Sequence, residues 1–153
     1  MATQYSVAEE VREIALELIP QYHSHLEEFG VRIEYVFSDK TPMRKGKQTW
    51  GVCRKVTSLN AFLSQEKNEE MAETKPFFVL VISKPIWDTL QENKRKALVD
   101  HELSHAGAEL DENGELKLHI IPHDLEEFSA IVRRHGMWRE DVKEFVDAAK
   151  EEK

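Results

Sequence analysis

Cysteine is almost absent. Cys53 is the single one in 153 residues, so no internal disulfide can form. Zinc ribbons, Cys-rich fingers, iron–sulfur clusters and zinc deaminases all need several thiolates and are excluded. Any metal must be held by His and carboxylates. Long apolar runs are missing too: no window approaches the roughly 18 apolar residues of a membrane span, and residues 1–10 lack the basic-then-apolar order of a secretory leader. The expectation is a reducing, cytoplasmic setting with no membrane partner. Positive charge is in deficit, with 21 Lys and Arg against 29 Asp and Glu for a net charge of −8, which opposes a broad electrostatic grip on nucleic acid. The best basic strip, Lys40, Arg44, Lys45 and Lys47 around Pro42 and Gly46, reads as a solvated hairpin loop.

What remains is the composition of a globular domain, 41% hydrophobic and 33% charged. One compact domain over 1–153 is expected, with 1–5 and 148–153 as frayed ends. From Ser6, a plausible N-cap with Glu9 completing a capping box, Val7, Val11, Ile14, Ala15 and Leu18 recur at helical steps. Pro20 bends or ends that helix, residues 21–29 add a turn or two, and Gly30 is a natural stop. Val31, Ile33, Tyr35 and Phe37 then alternate at period two, a half-buried strand. Residues 50–56 read as a second strand and the apolar run 76–82 as a third, covered on both faces. The polar stretch 65–75 reads as an exposed excursion. After Ser83 the pattern is helical apart from 111–114 and 116–122, with a helix over 124–135 capped by Gly136 and a last one over 141–149. The fold class is α+β: a small three- to four-stranded sheet packed with helices.

The informative segment is His101-Glu102-Leu103-Ser104-His105 inside the helical stretch. Positions i and i+4 of a helix lie one turn apart on one face, so His101 and His105 can meet one ion while Glu102 sits beside them. A zinc peptidase needs that geometry: two neutral imidazoles at about 2.0–2.1 Å, a third protein ligand, and an open position for the water that Glu102 deprotonates as general base. The five-residue pattern arises by chance in roughly one sequence in twenty of this composition, so its context decides. It follows an apolar strand and is flanked by Val99 and Leu103, as an element packed on a core would be.

A third ligand is expected downstream, among His119, His123, Asp124, Glu126, Glu127 and His135. His123 is preferred, because it follows Pro122 where a new helix would begin. Glu126 and Glu127, at i+3 and i+4, would then orient the ligands, although either carboxylate could itself be the ligand. His119 alternates with Leu116, Leu118 and Ile120 and reads as a strand side chain near the cleft.

These residues, with His123-Asp124-Leu125-Glu126-Glu127-Phe128 and Ile131-Val132-Arg133-Arg134-His135-Gly136-Met137-Trp138, resemble the putative phage metallopeptidase family over about 31–145. More distantly the chain is similar to the Spartan/SprT-like proteases, whose third zinc ligand is the His of a His-Gly-x-x-Phe-like motif. That resemblance gives His123 the third-ligand role, with Asp124 standing where those proteases have glycine and no Cys-rich tail following. It implies a zincin-like fold, one Zn²⁺ per chain, a protein or peptide substrate, and residence in the cytoplasm of a bacterial host. It also implies that a sheet edge beside the active-site helix takes the substrate as an added strand, with residues 77–82 as the nearest candidate.

A second electrophile for the oxyanion is not singled out among His119, Tyr35 and Arg133. Trp50, Trp87 and Trp138 read as core anchors, His23 and His25 as surface residues, and Cys53 as a small buried hydrophobe. The competing function is a binding module of the same fold, catalytically inactive with a structural metal, that engages a host or phage protein or associates with DNA. Glu102 argues against it, since a structural site has no use for a general base. A di-iron bundle fails because Glu102-x-x-His105 is the only Glu-x-x-His in the chain.

Overall fold

The computed structural model describes residues 2–65 and 74–151. The chain divides into two compact units, Met1–Ile121 and Pro122–Lys153. The first begins with a three-residue strand β1 (Tyr5–Val7), then helices α1 (Glu9–Tyr22) and α2 (Ser24–Glu28). Next come strand β2 (Ile33–Ser38), the β3–β4 hairpin (Met43–Arg44 and Lys47–Gln48), strand β5 (Gly51–Val56) and helix α3 (Ser58–Ser64). Strand β6 (Phe77–Ser83), a short helix α4 (Lys84–Trp87), helix α5 (Glu92–Ser104) and the hairpin of β7 (Ala106–Leu110) and β8 (Leu116–Ile120) complete it. Four strands form one sheet in the order β1-β2-β6-β5, in which β2 and β6 are parallel and the other pairs antiparallel.

Mixed α/β architecture follows from the patterning. Phe78, Leu80 and Ile82 of β6 are fully buried and join Tyr35 and Phe37 of β2, Val11, Ala15 and Leu18 of α1, and Val99 and Leu103 of α5 in one core. The spacing of the α1 residues by four and three is the apolar stripe of a helix laid on that core. Helix α5 is tied to α1 at its start through Glu10, whose Oε2 accepts from Trp87 Nε1 at 3.1 Å and from Arg95 at 3.2 Å. The basic strip forms the predicted hairpin, and its turn residues Lys45 and Gly46 both have positive φ, 52° and 75°, as a two-residue hairpin turn requires.

Several expectations are corrected. Residues 5–7 do not open the first helix: they pair antiparallel with β2, where an open sheet edge supplies ladder bonds, and Ala8 rather than Ser6 precedes α1. Pro20 lies inside α1, which continues to Tyr22. Val79 and Val81 are only half-buried, so β6 is fully covered on one face alone. The helical reading after Ser83 misses β7, whose hydrogen-bonded partner is β8. Trp87 is fully buried against Phe37, but Trp50 is 43% exposed and Trp138 52%. Most of the 65–75 excursion lies outside the described residues.

The second unit holds helices α6 (Ser129–His135) and α7 (Glu140–Lys150). The helix expected from residue 124 starts only at Ser129: Glu127 Oε1 accepts the N–H of Phe128 at 2.8 Å, a local side-chain bond that competes with helix. Gly136, at φ +67°, caps α6 as predicted. Before α7, Arg139 grips Asp141 through two bonds of 3.1 and 2.8 Å. In α7 Val142 is buried while Phe145 is exposed.

Candidate metal centre

Helix α5 ends at Ser104, and His105 is its C-cap with helical dihedrals, φ −77° and ψ −15°. The i, i+4 relation of His101 and His105 therefore survives at the helix end, and their rings meet edge to face with centroids 5.2 Å apart. Among the described residues, one ring nitrogen from each of His101, His105 and His123 can be chosen so that all lie within 4.8 Å of one another. A tetrahedral ion with bonds of about 2.0–2.1 Å sets its donors about 3.4 Å apart, a separation of the same order. Three neutral imidazoles are also a fitting donor set for a borderline divalent cation. Asp124, Glu126, Glu127 and His119 are not in the group.

The turn that carries His105 is held by Ile121. His105 Nδ1 lies 2.6 Å from the Ile121 carbonyl oxygen, and the Ile121 N–H donates to the His105 carbonyl at 2.8 Å. Because a carbonyl can only accept, Nδ1 carries the proton, and Nε2 is the nitrogen whose lone pair a cation would take. In the sequence only Pro122 separates Ile121 from His123.

Glu102, one position on from His101, is buried, at 4% exposed. It lies under the first residue of β5: a Cβ on Gly51 would come within 3.3 Å of Glu102 Cγ and 3.4 Å of its Oε1. Burial pushes the Glu102 carboxyl up from 4.5 to about 7, against the opposing pull of His105. Cys53, buried on the same strand, has its thiol pushed up to about 12 by burial and then by the Glu102 charge.

Both edges of β6 are occupied, by β2 and β5, so the expectation of a free edge at 77–82 is wrong. The outer strand on that side is β5. His119 is exposed, on the face of β8 opposite buried Leu118, with its ring over Gly107. Tyr35 is a core residue whose hydroxyl burial pushes up to about 12.

His23 and His25 are the residues that sequence reasoning misplaced. His23 is 6% exposed, and its Nε2 lies 2.6 Å from Asp100 Oδ1. His25 Nε2 lies 2.9 Å from the carbonyl oxygen of Ala106. Both sit in a polar stretch of sequence with nothing nearby to announce partners some eighty residues away.

The family model described as putative phage metallopeptidase matches residues 3–150. No curated protein and no solved structure matches the chain. No helix among the described residues is long and apolar enough to cross a membrane.

Proposed function

Because the chain belongs to the putative phage metallopeptidase family, we propose that it is a zinc-dependent peptidase of zincin-like architecture, with His101, His105 and His123 as metal ligands and Glu102 as general base. The observation that carries this reading is the three-histidine group beside a carboxylate that burial brings to neutrality. When bound, zinc supplies Lewis acidity, which lets water lose a proton near pH 7 and polarises a peptide carbonyl. Glu102 does the proton work. A carboxyl with a pKa near the working pH accepts a proton from water at a carboxylate oxygen and returns it to the leaving amine with little penalty in either direction. Its side chain is held against Gly51 and under the sheet, which limits its motion and keeps bulk water away.

An extended polypeptide is the substrate this arrangement suits. Strand β5 is the outer strand of the sheet on the Glu102 side, and a peptide added along such an edge draws affinity from main-chain bonds while presenting alternate side chains.

Elemental analysis of the purified chain tests the centre: about one zinc per chain is expected, lost in His101→Ala. Glu102→Gln should keep the metal and lose at least about a hundredfold in hydrolysis of an unfolded protein. A parent chain that takes up no supplied zinc, or a Glu102→Gln variant with undiminished turnover, overturns the reading.

A further inference from the structure

Two histidines outside the proposed centre bracket the turn that carries it. His23 closes α1, its N–H bonded to the Ile19 carbonyl at 2.8 Å, and opens α2, its carbonyl accepting from Leu26 at 3.0 Å. From this corner its imidazole reaches Asp100, the residue before His101. His25, one residue past Ser24, reaches the carbonyl of Ala106, the residue after His105. The two rings stand edge to face at 6.5 Å. Residues 101–105 thus lie between two anchor points on one short helical corner.

We propose that His23 and His25 are positioning residues of the metal centre, which hold the His101–His105 turn in the shape that lets both imidazoles face one ion; the inference rests on the reading above. The physical need is local. A helix loses its carbonyl partners in its last turn and frays there, and here the last turn of α5 bears one ligand while its C-cap is the other. Ser104 turns its hydroxyl back to the Asp100 carbonyl at 2.8 Å, which secures the turn only from within. His23 and His25 secure it from outside. A buried imidazole is costly unless hydrogen-bonded, so an apolar side chain would fill the corner more cheaply. What the imidazoles add is direction: a short, charge-assisted bond to Asp100 and a donor for the Ala106 carbonyl.

Zinc affinity of the full chain, read by competition with a chromogenic chelator, tests this. His23→Phe and His25→Phe keep the ring bulk and remove the hydrogen bonds; each should bind zinc at least about tenfold more weakly than the parent. His25→Gln and His23→Gln restore a donor and should lie within roughly threefold of the parent. Thr57→Ala, which removes the N-cap of α3 away from the turn, should lose stability and keep zinc affinity. If a phenylalanine variant is not folded by circular dichroism, the corresponding alanine variant takes its place. Unchanged affinity in folded Phe or Ala variants, glutamine variants as weak as these, or equal weakening in Thr57→Ala overturns the proposal and leaves the peptidase reading intact. A parent chain that takes up no zinc overturns both.

Discussion

The imidazole of His119 lies over Gly107, its partner across the β7–β8 pair, so closely that a Cβ on Gly107 would fall 2.6 Å from His119 Cε1 and 2.7 Å from Cδ2. An added Cβ there would force the His119 ring to move, and the backbone angles of Gly107 impose no demand of their own. Gly107→Ala should therefore lower stability in chemical denaturation, by up to about 1 kcal/mol because the exposed ring can swing aside. Combining it with His119→Ala should recover most of that loss; a double variant as unstable as the sum of the singles would mean that the crowding lies elsewhere.

Gly51 offers a more pointed substitution. An added Cβ would meet Ile82 Cδ1 at 2.8 Å, the movable end of a side chain, and Glu102 at 3.3 Å. The core can yield at Ile82, so the fold should survive Gly51→Ala while Glu102 is displaced. Zinc content should be unchanged and peptidase turnover reduced by about tenfold or more, since small misplacements of a reacting group are costly. Parent-like turnover would show that Glu102 has slack.

Cys53 should be chemically silent in the native protein. With its thiol pushed up to about 12 by burial and the nearby Glu102 charge, almost no thiolate exists at pH 8, and the thiolate is the nucleophile. A thiol reagent should label the chain only as fast as it unfolds, and at once in denaturant. Rapid native labelling would contradict the buried placement of Cys53.

Asp111 sets an acid limit on the β7–β8 hairpin. Its carboxylate accepts the backbone N–H groups of Glu115 and Asn113, each at 2.9 Å, and those bonds, led by Glu115 and joined by Lys117, hold its pKa below the usual 3.8. A lowered folded-state pKa means that the unfolded chain takes up the proton first. The stabilisation is thus complete above the unfolded value and lost as pH falls through the folded one. Asp111→Asn should flatten the acid limb of the stability–pH curve; a limb as steep as the parent's would sink the assignment.

Legibility in the sequence followed the range of the interactions. Alternation at Ile33, Tyr35 and Phe37 revealed β2, and the apolar run before Ser83 revealed β6, because burial of a strand is written in its own residues. The His-Glu-x-x-His segment was legible for the same reason, as a helix face needs only five residues. Strand β7 was not: Ala106, Gly107 and Ala108 carry no period-two signal, and the chain leaves the helix there through the bonds between His105 and Ile121. His23 and His25 were illegible because Asp100 and Ala106 lie far along the chain, and a polar residue declares no partner. Trp50 and Trp138 misled because aromatic size is a general argument for burial, and it does not say which edge of the sheet is covered.

The parallel pairing of β2 with β6, Ile33 opposite Phe78 and Ser38 opposite Ser83, sets the order in which the molecule can assemble. No short loop closes a parallel pair, so the chain between them must be gathered before the sheet exists, and such non-local contacts slow folding. Helix α5 packs chiefly on α1 and on the outer strand β5, and the His23–Asp100 bond belongs to that same docking. The rate at which a refolding chain becomes competent for metal should therefore report docking of α5 against the His23–His25 corner, and not formation of the helix alone.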